Sequence, residues 1–274
     1  MTLSVVIITY NEEANIGRTL ESVKPLVSEG KGEVIVVDSG SSDRTVEIAK
    51  SFSAKVFVEE WKGYAAQKNS AIEKATGDWI LSLDADEEVG DLMGTFITDF
   101  LFGSFGSSWR GFDGGVVFIR RNYFLGRWIR HGGFYPDQKL RLFRRGSGSF
   151  EKRAVHEDIQ LAPGKPVLDP AHVYNVHGKS EFYLLHHSYP TLSDYIDHMN
   201  RYSSLGAEMA NASGLRRFSI LDIVARPWAT FVYNYFFRLG FLDGREGLLL
   251  HLYHAVYVSW KYAKAWESGR KRVN

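Results

Sequence analysis

A doubly wound α/β fold with a helical C-terminal extension is the architecture this sequence predicts, and three observations point to it. Over about the first eighty residues, short β-branched runs alternate with segments of helical periodicity, the pattern of a mainly parallel sheet with helices on both faces. Polar clusters sit where the strands end, at Thr9 to Glu12, Asp38 to Ser42 and Asp84 to Glu87, and such sheets bind ligands beyond the carboxyl ends of their strands. The last 61 residues differ in composition, being basic, aromatic and rich in uncharged runs.

The first strand is Leu3-Ser-Val-Val-Ile-Ile-Thr9, which opens directly into a helix whose apolar face carries Ile16, Leu20 and Val23 and whose end is marked by Lys24-Pro25. The second unit is the strand Glu33 to Asp38, a loop Ser39-Gly40-Ser41-Ser42-Asp43 with good N-cap residues, and a helix from Thr45 to Phe52. Lys55 to Glu59 reads as the third strand, Ala65 to Ala75 as the third helix, and Asp78 to Leu83 as the fourth strand. That strand runs into Asp84-Ala85-Asp86-Glu87. If it continued, Asp84 and Asp86 would share one face and converge on one ligand. Hard carboxylate oxygens in this place suit Mg2+ or Mn2+, which leave coordination positions open for phosphate oxygens. The simpler reading is that these acids solvate the strand exit and cap the next helix.

With 274 residues and 45% hydrophobic content, the chain can hold one large catalytic domain and an appendage. Its lack of cysteine excludes disulfides, thiol catalysis and Cys-based zinc sites, and no H-E-x-x-H spacing indicates zinc. A strand begins almost at residue 1, so no signal peptide is expected. Gly103 to Gly115 reads as a mobile loop between two halves of the catalytic domain, about 1–102 and 112–213, with the extension at 214–274.

Four segments, Thr9-Tyr10-Asn11-Glu12-Glu13, Val37-Asp38-Ser39-Gly40-Ser41-Ser42-Asp43-Arg44-Thr45, Gln67-Lys68-Asn69-Ser70-Ala71 and Asp84-Ala85-Asp86-Glu87, resemble in order and spacing the motifs of glycosyltransferase family 2, which has the GT-A fold. His131-Gly-Gly-Phe-Tyr135-Pro-Asp137, Arg141-Leu-Phe-Arg-Arg145 and Val155-His156-Glu157 are similar to a bacterial subgroup that includes the β-glucosyltransferases of the lipopolysaccharide inner core. The resemblance implies an inverting transfer of a hexose, glucose first, from a UDP-sugar to a lipid-linked saccharide. It places Thr9, Tyr10 and Glu12 around uridine, Asp38 on the uracil imide N–H, and Lys68 near the nucleotide. Asp84 would face the ribose or the donor sugar, Ala85 would belong to the same nucleotide-sugar site, and Asp86 would hold the metal. Glu157 is the implied general base, with Asp158 and Asp137 as substitutes. His131, Tyr135, His156 and His187 are implied contacts of the acceptor or the diphosphate.

Net charge at pH 7 is +1, but from Gly214 onward there are 10 Lys and Arg against 4 Asp and Glu, and 13 of the 39 aromatic residues. The uncharged runs between Arg226 and Arg238 and between Glu246 and Lys261 fall short of the roughly eighteen residues a bilayer span needs. They fit helices lying in the interface of an anionic leaflet, on the cytoplasmic face of the inner membrane, where an acceptor such as lipid A with its growing core would be met. The alternative is a helical pair packed on the catalytic domain or on a second copy of the chain. A polyprenyl-diphosphate saccharide or another glycolipid is the alternative acceptor. A nucleotidyltransferase should carry a Gly-rich basic loop after the first strand, and here that loop is acidic. A nucleic-acid binder would leave the carboxylate array unexplained.

Overall fold

The computed structural model describes residues 1–103, 111–151, 158–170, 182–212 and 219–271. His156, Glu157, the greater part of the expected loop Gly103 to Gly115, and the junction at Gly214 therefore lie outside the described residues. The chain divides into two compact units, Met1–Arg120 with Asp137–His186, and Arg121–Pro136 with His187–Asn274.

The first unit is built outward from β1 (Leu3–Thr9), which is buried along nearly its whole length because parallel strands are covered on both faces. It pairs in parallel with β2 (Gly32–Asp38), which pairs in turn with β3 (Lys55–Val58). On its other side it pairs in parallel with β4 (Trp79–Asp84). Alternation of side chains splits β1 between two cores. Val5 and Ile7 pack with Ile16, Leu20 and Val23 of α1 (Ile16–Val27), a core that also takes in apolar residues of α4 (Asp91–Phe102). Val6 packs on the opposite face with Ile35, Val37, and Ala65 and Ala71 of α3 (Tyr64–Glu73). The remaining helix of this half is α2 (Thr45–Ser51).

Helix α1 runs on to Val27, past Lys24-Pro25, where the sequence predicts its end. Pro25 removes one backbone donor, but it sits in the last turn, where burial of Leu26 outweighs that loss and Ser28 N–H closes the end on Lys24 O at 3.1 Å.

Beyond β4 the sheet changes direction. Its order is β3-β2-β1-β4-β8-β6-β12-β5, with β5 (Glu87–Val89), β6 (Gly115–Phe124), β8 (Asp137–Arg144) and β12 (Tyr183–Tyr189). The β4–β8, β6–β8 and β12–β5 pairs are antiparallel. This switch sets long polar residues of β6 and β8 beside the end of β4. Strand β7 (Arg127–Trp128) pairs with β6 antiparallel, β11 (Val167–Leu168) pairs with it in parallel, and β9 (Gly148–Phe150) and β10 (Ile159–Leu161) form a separate ribbon.

The second unit is mainly helical, with α5 (Leu192–Ala212), α6 (Arg226–Val232) between two π-helical turns, and α7 (Gly244–Lys271). Phe124, Ile129, Tyr195 and Leu250 form its core. Lys264 of α7 donates to Asn200 O and the Ser203 hydroxyl on α5, each at 2.7 Å. Among the described residues no helix is long and apolar enough to cross a membrane.

Candidate active site

Two loops at the carboxyl ends of β1 and β2 are stitched together by short polar side chains. Asn11 adopts a left-handed conformation, which Asn tolerates better than most residues. Its N–H donates to Ser41 Oγ, and its Oδ1 accepts from Ser42 N–H, both at 2.8 Å. Glu12 N–H donates to Thr45 Oγ1 at 2.7 Å. Asp38 is fully buried and accepts from the Thr9 hydroxyl, the N–H groups of Gly40 and Ser41, and the Ser41 hydroxyl, so both its oxygens are engaged within the loop. Tyr10 is exposed.

Strand β4 ends at Asp84, and Ala85 and Asp86 form a turn before β5. The two aspartates therefore do not share a strand face, as a continued strand would require, and each has its own partners. Helix α1 pins the turn, since the Thr19 hydroxyl donates to Ala85 O at 2.7 Å and Ser22 Oγ accepts from Val89 N–H at 3.1 Å.

Asp84 is set in a frame of cations. Lys68 Nζ and Arg141 Nη2 each lie 2.7 Å from its carboxylate. Arg141 also meets Glu87 at 2.6 Å, Arg120 meets Glu87 at 3.2 Å and Asp137 at 2.7 Å, and Asp84 N–H donates to Glu87. Glu87 is 0% exposed and Arg141 4%. Burial pushes the Asp84 carboxyl up, but the charges of Lys68, Arg141 and Arg120 outweigh it and hold the group well below its ordinary value. Lys68, expected near the nucleotide, is thus buried and ion-paired with Asp84.

Asp86 faces a different partner. His186 Nε2, on β12, lies 3.3 Å from its carboxylate. The antiparallel register that sets His186 opposite Glu87 brings the imidazole to the turn. Burial raises the Asp86 carboxyl, and the charge and hydrogen bond of His186 outweigh it. Nearby, burial and then the charges of Asp86, Asp43 and Asp84 push the Glu12 carboxyl up to about 7, against a lowering hydrogen bond from Asn15. One carboxylate and one imidazole form a donor set that suits Mn2+ better than the oxygen-seeking Mg2+, with the remaining ligands coming from phosphate oxygens, and the surplus negative charge around Glu12 favours a cation here. Among the described residues no group of three or more acidic or His side chains is arranged to hold a metal.

Of the carboxylates considered as bases, Asp137 is bound by Arg120, Asp158 is exposed with Lys139 3.3 Å away, and Glu157 lies outside the described residues, as does His156. His187 belongs to the second unit, where its ring stacks on Tyr123 with centroids 5.6 Å apart. In that unit His131 Nδ1 bonds to Asp243 at 3.0 Å, and Tyr135 packs edge-on to Trp128. Sequence reasoning missed His186 and the framing roles of Arg120, Arg141 and Glu87. The pairing of β12 with β5 and of β6 with β8 assembles them, and no local pattern announces either pairing.

Residues 4–148 match the family described as Glycosyl transferase family 2. The lipopolysaccharide core biosynthesis glycosyltransferase LpsC of Rhizobium meliloti is 29% identical, over 97% of this chain and 93% of that protein. An uncharacterized glycosyltransferase of Rickettsia typhi is 30% identical, over 99% of this chain and 89% of that protein. Among solved structures, the mannosyltransferase PcManGT of Pyrobaculum calidifontis, in complex with GDP-Man and Mn2+, superimposes with a TM-score of 0.53 at 17% identity, over 97% of this chain and 87% of that one, a likeness of fold. The family match runs through every strand end from Thr9 to Arg144 that builds the carboxylate turn and its cationic frame, and this chain belongs to glycosyl transferase family 2.

Proposed function

We propose that this glycosyltransferase moves a hexose, glucose first, from a UDP-sugar to a lipid-linked saccharide of the lipopolysaccharide inner core, with inversion at the anomeric carbon. The observation that carries the reading is the Asp86–His186 pair beside a framed Asp84 at the carboxyl edge of the sheet. Asp86 and His186 would hold a divalent cation, which supplies neutralisation of the charge left on the departing diphosphate.

The other residues bind and orient. Thr9, Tyr10 and Glu12 line the uridine, and Asp38 meets the uracil imide N–H by exchanging the rotatable Ser41 hydroxyl for it, since a carboxylate suits a base edge that offers a donor. Asp84 and Ala85 face the donor sugar, with Lys68 and Arg141 fixing the Asp84 carboxylate in one orientation. Glu157 takes the acceptor proton. Asp137 and Asp158 are weaker candidates because each is already paired with a cation, Arg120 and Lys139 respectively.

The acceptor assignment draws on the lipopolysaccharide core role of the Rhizobium relative and on the basic, aromatic extension 214–274, which would meet an anionic membrane surface from the cytoplasmic side. The catalytic role belongs in this reading to 1–213. The test is transfer from radiolabelled UDP-glucose, UDP-galactose and UDP-N-acetylglucosamine, with Mn2+, to truncated lipopolysaccharide and to a polyprenyl-diphosphate saccharide. Label in the lipopolysaccharide supports the assignment. Label only in the polyprenyl acceptor, or none from any UDP-sugar, overturns it.

A further inference from the structure

The second unit contains an open cavity of about 470 Å³ whose wall includes Arg130, His131, Gly133, Phe237, Arg238 and Leu239. Its chemistry is one-sided. Arg130 stacks on Trp128 at 4.0 Å and Arg238 on Tyr233 at 5.1 Å, and neither guanidinium has a carboxylate partner among the described residues. The acid of this region is already engaged: Asp243 is 2% exposed and accepts from the N–H groups of Arg130 and His131 and bonds to the His131 ring. It fixes the Arg130–His131 backbone and leaves the two arginines uncompensated.

The wall is also held in shape. Gly132 N–H donates to Arg238 O at 2.9 Å, which ties the two arginine-bearing segments together. Gly133 has φ +88°, and a Cβ there would come within 2.1 Å of an Arg238 nitrogen, so the glycine lets the guanidinium lie close to the backbone. Two planar forks stacked on aromatic rings and lacking acids suit a phosphate group, which they can bind bidentately.

The rim is apolar where a soluble phosphate site would be polar. Phe237 is 75% exposed and Leu239 46%, and Trp228, on the neighbouring helix α6, is 68% exposed. Aromatic and aliphatic side chains next to unpaired arginines match the boundary between acyl chains and headgroups.

We propose that this cavity binds the phosphate headgroup of a membrane-embedded amphiphile, with Arg130 and Arg238 as its ligands and Phe237 and Leu239 reaching into the acyl layer. The inference rests on the membrane contact in the reading above and names its partner and place.

The full chain is titrated calorimetrically with short-chain phosphatidic acid, short-chain diacylglycerol and inorganic phosphate. Saturable binding of the phosphatidic acid, at least about tenfold tighter than either fragment, is expected. The variants Arg130→Gln and Arg238→Gln should each weaken it by about tenfold, the scale of a charge-assisted hydrogen bond. Equal affinity for inorganic phosphate means a free-phosphate site and overturns the amphiphile. Equal affinity for diacylglycerol overturns the arginine pair, as does unchanged binding by both variants. The wild-type comparisons need no variant to fold. UDP binding with Mn2+ is measured on the same samples: its absence in the wild type counts against the donor site and leaves the headgroup result standing.

Discussion

Replacing Arg141 by Met removes the cation closest to both Asp84 and Glu87 together, at 2.7 and 2.6 Å against 3.8 and 3.2 Å for Arg120, from a place where it is 4% exposed. Breaking a buried ion pair by removing one partner costs about 3–5 kcal/mol, because the remaining charge stays desolvated. Two features put the expected loss near the lower end. Asp84 keeps Lys68 at 2.7 Å and Glu87 keeps Arg120 at 3.2 Å, so neither carboxylate is left without a counter-charge. For a chain of this size, about 3 kcal/mol corresponds to a fall in Tm of about 5 °C. Differential scanning calorimetry reads it directly. The double variant Arg141→Met/Glu87→Gln should recover part of the loss, since it removes the carboxylate with the lowest exposure together with its partner. A Tm within about 2 °C of wild type for Arg141→Met would refute the view that the frame is held by these charges.

Three further outcomes are expected. His186→Ala should weaken Mn2+ binding and metal-dependent UDP binding, with folding confirmed by circular dichroism; a variant that binds both as wild type does would place the cation elsewhere. Glu157→Gln should keep UDP affinity and lose about two to four orders of magnitude in turnover, the usual scale of general acid-base catalysis, and near-normal turnover would move the base to Asp158 or Asp137. His251 is 1% exposed with no hydrogen-bond partner for either ring nitrogen among the described residues, and burial first, then the charge of His254, pushes it down to about 4 from its ordinary 6.5, against a raising effect from Asp243. Between those values the unfolded chain binds a proton that the native ring does not. The neutral ring's contribution is therefore complete above pH 6.5 and is lost as pH falls toward 4, at most about 3 kcal/mol. Denaturation curves at pH 7.5 and 5 should show this loss in the wild type and a smaller one in His251→Leu; equal losses in both would dissociate the pH dependence from this ring.

The strand-helix alternation from Leu3 to Asp84 was legible because β1, β2 and β4 are each a run of mostly buried apolar residues that stops at a polar cluster. Pro25 misled because proline ends most helices, while here buried Leu26 carries the last turn. The aspartates at 84 and 86 were legible as a site, but their separate environments were not, since a turn at Ala85 replaces the strand that spacing alone suggests. The choice between His186 and His187 depends on strand register: adjacent residues on β12 point to opposite faces, and only the pairing with β5 determines which ring meets Asp86. Arg120 and Arg141 sit on strands that read locally as half-exposed, and their burial arises only when β8 inserts between β4 and β6.

Calorimetric titration of the protein with UDP, GDP, CDP and ADP, each with and without Mn2+, tests the central claim most directly. Binding of UDP in preference to the others, and only with Mn2+, is the predicted result. Preference for another base would contradict the role given to Asp38, and metal-independent binding would contradict a cation held by Asp86 and His186.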